Sequence, residues 1–421
     1  MKILVLNSGS SSVKFQLIET SPGQLETNRD RVLAKGIVEK IGTAESVTAC
    51  QAENGKALKL VRGVPDHRHA IEVVFECLTG ANGVIRSPRE IEAVGHRVVH
   101  GGERFTASVL ITDAVVREIE GNFHLAPLHN PPNIKGYYAT RTLLPHAPQV
   151  AVFDTAFHQT LPPKAYLYAI PYAFYTRRRI RRYGFHGSSH RYVASRYAQI
   201  QGRPLETFKL ITCHLGNGCS VCAIDRGKSV ETSMGFTPLE GLVMGTRPGD
   251  LDSGVLLYLL RNGQTSLEDA EDLLNRQSGL YGISGISNDL RDLVREAGKG
   301  DHRAHLALEV YVHRVKKYLG AYYAVLNGAD AVIFTGGAGE HQAGLRAMIC
   351  DSLDALGIQV DQVRNERAFG VEGAITTPGS RTQVWVIPTN EELIIARDTM
   401  RVILAKSRPK VRKRAAAKPQ M

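Results

Sequence analysis

Arginine, aspartate and histidine residues stand beside glycines at several places in this sequence, and these residue types suit chemistry on anions. Arg97 lies in VGHRVVHGGE and Arg247 in MGTRPGD, where backbone without side chains lets a guanidinium reach a small ligand. Arginine stays charged and offers planar, bidentate donors to carboxylate or phosphate oxygens. Asp154 follows the apolar run VAVF, so it either serves catalysis at a strand end or caps a helix over TAFHQTL. The pattern predicts a site for an anionic substrate.

Two pairs of histidines are spaced four residues apart, His186 with His190 in FHGSSH and His96 with His100 in HRVVH. On a helix this spacing could bind a metal ion. Neither pair carries the glutamate of an HExxH zinc site, and FHGSS is predicted to be a loop. We therefore favour His186 as a hydrogen-bond donor to a charged transition state over a zinc ligand.

Five of the six residues from 177 to 182, within TRRRIRRYG, are arginines. Aromatic residues do not alternate with them, which disfavours nucleic-acid binding, and the run leads directly into FHGSSH. We expect electrostatic steering of an anionic substrate. A solvated, charged surface is the alternative.

Six cysteines in 421 residues do not form a disulfide framework. Cys219 and Cys222 form CSVC, but neither a second CxxC nor a CxxH lies nearby to complete a zinc site. They lie in an apolar run, where cysteine behaves as a small buried hydrophobe.

Glycine- and serine-rich turns join pairs of apolar strands at two places. The first unit reads KILVLN, SGSSS, VKFQLI, and the second, over residues 209–225, reads KLITCHL, GNG, CSVCAID. GxxxxGK[ST] is absent, so neither is the common phosphate loop of NTPases. A hairpin whose turn exposes N–H groups can still hold a phosphate. We interpret the two units as an internal duplication, with one hairpin in each of two domains.

A third glycine cluster follows a strand in AVIFTGGAGEH, residues 331–341. We predict a strand, a glycine turn and a helix, which together direct N–H groups toward a nucleotide. Apolar residues spaced 4, 3, 4, 3, 4 predict a helix from about Asp301 to Asn327, and residues 392–404 predict another. Strands and helices mixed in this way predict an α/β protein whose sheets are not purely parallel.

Length and composition predict a globular protein of two or three domains. Hydrophobic residues make up 43% and charged residues 22% of the 421 residues. The longest apolar run, VLLYLL at residues 255–260, is far too short to cross a membrane, and ILVL is too short for a secretory signal. We expect a cytoplasmic protein.

Most of the basic excess lies at the C-terminal end. Residues 406–421 carry seven Lys or Arg and no acid, and without them the net charge falls from +11 to +4. We expect a disordered, solubilising tail that leaves weak nucleic-acid binding possible but no specific nucleic-acid partner.

Ten motifs of this sequence, taken in their order along the chain, resemble those of the acetokinase family of acetate, propionate and butyrate kinases. The similar motifs are NSGSSSVKF, GHRVVHGGE, LAPLHNPPN, VFDTAFH, RRYGFHGSSH, HLGNG, MGFTPLEGLVMGTRPGD, SNDLRD, FTGGAGE and IPTNEE, from residue 7 to residue 392. The resemblance implies two duplicated ribonuclease-H-like domains of the actin-like ATPase superfamily, with mixed sheets and a nucleotide cleft between them. The hairpin repeat places the domain boundary near Asp154, and the resemblance implies that the C-terminal helix returns to the first domain. We therefore expect residues 1–154 and 392–405 in the first domain and residues 155–391 in the second, and the resemblance implies a homodimer.

The resemblance implies transfer of the ATP γ-phosphoryl group to acetate, giving acetyl phosphate and ADP, with Mg²⁺ or, as an alternative, Mn²⁺. Propionate kinase is the alternative, followed by a non-catalytic actin-like ATP-binding protein. The implied catalytic residues are Asp154, His186 and Arg247. The implied acetate site consists of Arg97, Val99, Leu128, Phe185 and Pro238. The implied ATP site consists of Lys14, His214, Leu215, Gly216, Asn217, Gly218, Asp289, Leu290, Arg291, Gly337, Ala338, Gly339, Glu340 and His341. The implied metal-associated residues are Asn7 and Glu391.

The sequence departs from the family pattern at three positions near these sites. His341 replaces the usual asparagine, and Pro248 and Ser253 stand where serine and proline are typical. His341 bears on nucleotide base preference, and the other two bear on the loop that carries Arg247.

Overall fold

The first of two mixed sheets contains eight strands and is built from the N-terminal part of the chain. The computed structural model describes residues 1–407. In this sheet the strands are β1 (Lys2–Ser8), β2 (Ser12–Glu19), β3 (Arg31–Glu39), β4 (Val47–Ala52), β5 (Ala57–Val61), β6 (Ala93–Val98), β7 (Val109–Leu110) and β8 (Gln149–Phe153). Their order is β5-β4-β3-β2-β1-β6-β8-β7, and β1 pairs with β2 as the predicted antiparallel hairpin.

The second sheet contains six strands. They are β9 (Lys209–Leu215), β10 (Cys219–Asp225), β11 (Lys228–Thr232), β12 (Ala331–Thr335), β13 (Gly373–Ala374) and β14 (Gln383–Val386), in the order β11-β10-β9-β12-β14-β13. The second predicted hairpin is β9 with β10, which pair antiparallel in register from Leu215 with Cys219 to Lys209 with Asp225.

Both sheets share one topology, which confirms the predicted duplication and the α/β class. In each sheet three antiparallel strands are followed by two parallel ones, β3-β2-β1-β6-β8 in the first and β11-β10-β9-β12-β14 in the second. This is the ribonuclease-H-like order, and each hairpin turn lies at the same end of its sheet as the carboxyl end of the neighbouring parallel strand.

Helices cover the faces of both sheets. The α-helices of residues 1–407 are α1 (Pro22–Thr27), α2 (His67–Thr79), α3 (Asp113–Gly121), α4 (Asn130–Leu143), α5 (Pro163–Tyr166), α6 (Ala173–Arg178), α7 (Gly187–Ile200), α8 (Ser253–Arg261), α9 (Leu267–Arg276), α10 (Gly279–Ser284), α11 (Leu290–Gly298), α12 (His302–Leu326), α13 (Gly336–His341), α14 (Ala343–Cys350), α15 (Gln362–Arg367) and α16 (Glu391–Ser407).

The helix predicted between Asp301 and Asn327 is α12, and the residues predicted to begin and end it are its caps. Asp301 caps it by accepting a hydrogen bond from the N–H of Ala304, and Asn327 ends it in the left-handed conformation. The helix predicted over residues 392–404 is α16.

Helices α7 and α16 lie between the two sheets. One buried apolar cluster contains Val5 of β1 and Leu210 of β9, joined through Val193 of α7 and Ile395 of α16. The close approach of α16 to β6 requires Gly95, because a Cβ there would lie only 2.7 Å from Ile395 Cγ2. The packing of α16 on β1, β6 and β8 supports the proposed assignment of this helix to the first domain. The boundary at residue 154 stays a prediction.

The prediction of a loop at FHGSS was wrong, because this segment begins α7. His186 holds a left-handed backbone conformation with φ 56°, and the helix runs from Gly187. Packing between the sheets overrides the weak helix propensity of Gly187, Ser188 and Ser189. The glycine turn predicted after β12 is also helical, since GGAGEH forms the single turn and a half of α13.

The arginine run at residues 177–182 is only partly solvated, which limits the predicted steering role. Arg181 is 4% exposed and donates to Glu103, and Arg182 forms an ion pair with Glu240. These acids lie far away in sequence, so the local pattern did not reveal them.

Within residues 1–407, no helix is long and apolar enough to cross a membrane. The basic tail predicted at residues 406–421 lies, beyond Ser407, outside the described residues. All six cysteines are buried and unpaired, as expected from their apolar surroundings.

Candidate active site

The centre of the site is an ion pair between two neighbouring parallel strands. Arg97 lies near the end of β6, and Asp154 directly follows β8, beside it in the sheet. Arg97 Nη2 lies 2.5 Å from Asp154 Oδ2, and Nε lies 3.1 Å from both carboxylate oxygens. Asp154 is only 1% exposed and does not cap the following helical turn, whose N-cap is Thr155. The Nε and Nη2 groups of Arg97 are therefore both occupied by Asp154.

Residues predicted to bind metal surround this pair. Asn7, at the end of β1, accepts a hydrogen bond from Arg97 Nη1 at 3.3 Å, and it pairs across the hairpin with Lys14. Glu391 begins α16. Burial lowers the pKa of Arg97, but the carboxylates of Asp154 and Glu391 outweigh burial and raise it. Burial raises the pKa of Glu391, which Arg97 opposes and the Asp154 carboxylate reinforces.

The donor set beside Arg97 fits a magnesium ion better than a transition metal. Its oxygens belong to the Asn7 amide and the carboxylates of Asp154 and Glu391, and Mg²⁺ prefers a few such oxygens together with water and phosphate. Between residues 1 and 407 there is no group of three or more His, Cys, Asp or Glu placed to hold a metal. The histidine pairs thus give no support to a zinc site.

His186 stands at the start of α7 and is partly buried. Its ring stacks on His214 with the centroids 4.3 Å apart, and its Nδ1 lies 2.9 Å from Ser220 Oγ. Burial, followed by the neighbouring His214 and His190, holds the pKa of His186 well below its usual range. The imidazole is therefore neutral near pH 7, with Nε2 left to face the site.

Arg247 is a partly buried cation without an acidic partner. Its Nη1 donates to the carbonyl of Pro238 at 2.8 Å, and within residues 1–407 no carboxylate lies within 4.0 Å of its guanidinium. Burial lowers its pKa. A Cβ on Gly218 would lie 2.8 Å from Arg247 Nη2 and 3.4 Å from His186 Nε2, so both groups converge on the turn between β9 and β10.

The residues predicted to hold a methyl group differ in exposure. Val99 and Phe185 are 7% and 3% exposed and belong to one buried cluster. Leu128 is 47% exposed, and Pro238 contributes its carbonyl to Arg247. The N–H of Val99 is fixed by Asn133, which accepts its hydrogen bond at 3.1 Å.

A cleft of about 420 Å³ opens beside these residues on the second sheet. Its lining includes eight residues of the predicted ATP site, namely Gly216, Asn217, Asp289, Leu290, Arg291, Gly337, Ala338 and His341. Asn288 and Gln342 also line it, and sequence reasoning missed them although each adjoins a predicted residue. The exposed Arg291 is held by Asp289, with Nη2 at 2.6 Å from Oδ2.

The other predicted ATP residues do not line this cleft. Leu215 is fully buried, and Glu340 Oε1 accepts hydrogen bonds from the N–H groups of Gly336 and Thr389. His214 donates to or accepts from Ser189 Oγ at 2.8 Å, and burial lowers its pKa to about 4. The remaining residues of this group are Lys14, Gly218 and Gly339.

His129 is a site residue that sequence reasoning missed. Desolvation, followed by the positive charges of Arg97 and Arg247, lowers the pKa of its ring. Its signal in the sequence is the LHN segment next to Leu128.

Repeated ribonuclease-H-like sheets, an arginine and a histidine that converge on a glycine turn, and a glycine-lined cleft define the class of protein, a phosphotransferase. The profile of the acetokinase family matches residues 2–397, and the chain belongs to this family.

Two relatives named acetate kinase are similar over nearly their whole length. The one from Chloroherpeton thalassium is 53% identical over 416 residues, which cover 96% of this chain and 100% of the relative. The one from Thermotoga maritima is 52% identical over 406 residues, covering 96% and 99%.

Two solved structures are also similar. The crystal structure of Porphyromonas gingivalis acetate kinase has a TM-score of 0.90 at 45% identity, covering 96% of this chain and 99% of that one. A propionate kinase from Francisella tularensis has a TM-score of 0.87 at 42% identity, covering 95% and 99%.

Proposed function

We propose that this chain is an acetate kinase, which transfers the γ-phosphoryl group of ATP reversibly to acetate. An acetate oxygen forms the bond to the γ-phosphorus, and the bond from that phosphorus to the bridging oxygen of ADP breaks. The observation that carries the proposal is Arg247, a partly buried guanidinium without an acidic partner beside a glycine turn and a nucleotide-sized cleft. The permanent positive charge of Arg247, which no carboxylate neutralises, can pair with the negative charge of a phosphoryl group.

Charge neutralisation is the main work of such a site. Phosphoryl transfer involves little covalent chemistry for the protein, so catalysis rests on positioning and electrostatics. Arg247 Nη2 and His186 Nε2 approach the same side of the Gly218 turn, where the equatorial oxygens of the transferred group would lie. Fixed donors in a site shielded from water stabilise developing charge strongly.

Asp154 is proposed to orient groups and not to remove a proton. Acetate is already ionised near pH 7, so its attack needs no general base. The two-point contact with Arg97 fixes the Asp154 carboxylate, and the same arginine directs Nη1 toward Asn7. We assign Arg97 to acetate binding through the donor capacity that Asp154 leaves free.

Asn7, Asp154 and Glu391 are proposed to hold Mg²⁺, directly or through water. When bound, the ion would neutralise charge on the nucleotide phosphates. Asp154 and Glu391 bring two carboxylates to this site, and after burial the Asp154 carboxylate is the charge that raises the pKa of Glu391.

A wall of buried apolar side chains is proposed to select acetate. Val99 and Phe185 would contact its methyl group, with Leu128 and Pro238 completing the pocket. One extra methylene changes discrimination by only about 10- to 200-fold, so a propionate kinase is the second candidate, favoured by the likeness to the Francisella structure.

We also propose a homodimer formed through α8. This helix reads SGVLLYLLR and buries none of its residues within the chain; Leu257 is 50% and Tyr258 61% exposed. Apolar surface gathered on one helix is typical of a protein interface.

The test is acyl-hydroxamate formation with MgATP and acetate, propionate or butyrate, using wild type and Arg247→Ala. A higher kcat/KM for acetate, with kcat greatly reduced in the variant, would support the proposal. Preference for propionate would keep the mechanism and overturn the proposed pocket. No product with any acid would overturn the proposed function.

A further inference from the structure

A chain of buried hydrogen bonds runs from Thr212 through His190 and Ser220 to His186. His190 Nδ1 lies 2.7 Å from Thr212 Oγ1, and its Nε2 lies 2.8 Å from Ser220 Oγ. The same oxygen lies 2.9 Å from His186 Nδ1. Thr212, His190 and Ser220 are all 0% exposed, so water cannot replace the two contacts that join them.

The elements of the fold hold this chain rigidly. His190 stands one turn after His186 on α7, while Thr212 lies on β9 and Ser220 on the paired strand β10. Strand alternation points both hydroxyls to the face that α7 covers. The chain is therefore built by the packing of the interdomain helix on the second sheet.

Every proton in this chain can be ordered in one of two directions. If Thr212 donates to His190, then His190 Nε2–H donates to Ser220, Ser220 donates to His186 Nδ1, and the His186 proton lies on Nε2. In the opposite direction His186 Nδ1–H donates to Ser220, and Nε2 presents only a lone pair to the site. Both imidazoles are neutral, because burial holds their pKa values well below the usual range.

The Thr212 end decides between these directions. Its hydroxyl has no other hydrogen-bond partner among residues 1–407, and it is completely buried. In the opposite direction the Thr212 hydroxyl would accept from His190, and its own proton would stay buried without an acceptor. A buried unsatisfied donor is costly, whereas the first direction satisfies every donor in the chain.

We propose that Thr212, His190 and Ser220 are positioning residues that fix His186 as its Nε2–H tautomer, so that it can donate to the transferred phosphoryl group. The proposal rests on the proposed function, since it explains how a neutral His186 serves as a donor. The Gly218 turn leaves Nε2 uncovered on the side where Arg247 Nη2 also lies. A partner that fixes the tautomer of a catalytic histidine is a recurrent requirement in enzymes.

The test combines kinetics with ¹⁵N NMR of histidine-labelled protein. Ser220→Ala removes the donor to His186 Nδ1, and we expect kcat to fall roughly 10- to 100-fold with both KM values within about twofold. The ¹⁵N shifts of the His186 ring, assigned with His186→Gln, should show the Nε2–H tautomer in wild type and its partial loss in Ser220→Ala. Ser220→Thr retains the hydroxyl and should restore both readouts.

Ser229→Ala is the matched control, because Ser229 Oγ makes the same kind of buried contact, 2.8 Å from His158 Nδ1, without touching His186. We expect its kcat and its His186 spectrum to match wild type. An Nδ1–H tautomer in wild type, or an equal fall in kcat in both alanine variants, would overturn the proposal. If wild type forms no acyl phosphate, the proposed function fails, while the tautomer spectrum still decides the direction of the chain.

Discussion

Gly218→Ala tests whether Arg247 and His186 act together at the turn between β9 and β10. Gly218 does not have a left-handed backbone, so alanine fits its conformation without strain. Its new methyl group would lie 2.8 Å from Arg247 Nη2 and 3.4 Å from the His186 ring. The first distance is shorter than real Cβ contacts, whereas the second is at the limit of ordinary packing. Arg247 must therefore move, because its guanidinium is the flexible end of a side chain.

The size of this movement sets the expected effect. Restoring an ordinary contact of 3.4 Å displaces the guanidinium by roughly 0.6 Å. A misplacement of about 1 Å in a catalytic group can cost about 100-fold in rate, so we expect a fall in kcat of about tenfold, or about 1.4 kcal/mol. The KM for ATP should change much less, because Gly218 does not line the nucleotide cleft.

The assay is steady-state hydroxamate formation with both substrates varied, accompanied by thermal unfolding. Gly320→Ala, in the middle of α12, is the control, since a Cβ there has nothing within 4 Å. It should keep the wild-type kcat and raise the free energy of unfolding by about 0.5–1 kcal/mol. A folded Gly218→Ala variant with the kcat of wild type would refute the convergence of the two groups on the transferred phosphoryl group.

Three further predictions follow from other contacts. Arg97→Ala should raise the KM for acetate and also lower kcat at least tenfold, measured against Arg97→Lys, because it leaves the Asp154 carboxylate buried without its partner. His96 is 2% exposed, and burial lowers its pKa to about 4 against the Gln149 hydrogen bond. The unfolded chain therefore binds the His96 proton first, so stability falls as the pH drops from about 6.5 to about 4, by on the order of 3 kcal/mol for this residue. The urea concentration at half-unfolding should fall less steeply with decreasing pH in His96→Asn than in wild type. Equal slopes in the two proteins would contradict this role of His96. Leu257→Glu should convert a dimer to a monomer in sedimentation velocity, and an unchanged species would exclude α8 as the interface.

Local signals predicted the elements whose ends and faces are encoded nearby in the sequence. The two hairpins follow from apolar runs on either side of a glycine turn, and α12 follows from its apolar spacing with Asp301 and Asn327 as caps. The duplicated hairpin also predicted an internal duplication, which the shared strand order of the two sheets confirms. Each of these features depends on residues within one element or one turn.

Features that depend on residues far apart in the sequence could not be predicted from local sequence patterns. The start of α7 has poor helix formers and becomes helical because it packs between two sheets. Arg181 and Arg182 are drawn inward by Glu103 and Glu240, which local charge counting cannot locate.

The candidate site divides along the same line. Residue types marked Arg97 and Asp154 as anion-binding and catalytic candidates, but their direct ion pair joins positions 57 residues apart. The contacts of Ser220 with two histidines depend equally on the tertiary fold. Resemblance to a known family supplied roles that the isolated motifs left open.

The placement of α16 has a consequence for synthesis on the ribosome. Domains usually fold in the order in which they emerge, the N-terminal one first. Here Leu393, Ile395 and Met400 pack on the first sheet, so its apolar face stays uncovered until almost the entire chain has been translated. We therefore expect the nascent chain to depend on chaperones until α16 emerges. A premature stop before Glu391 should leave the apolar face of the first sheet exposed and prone to aggregation. Helix α16 thus completes the packing of a sheet whose first strand is β1.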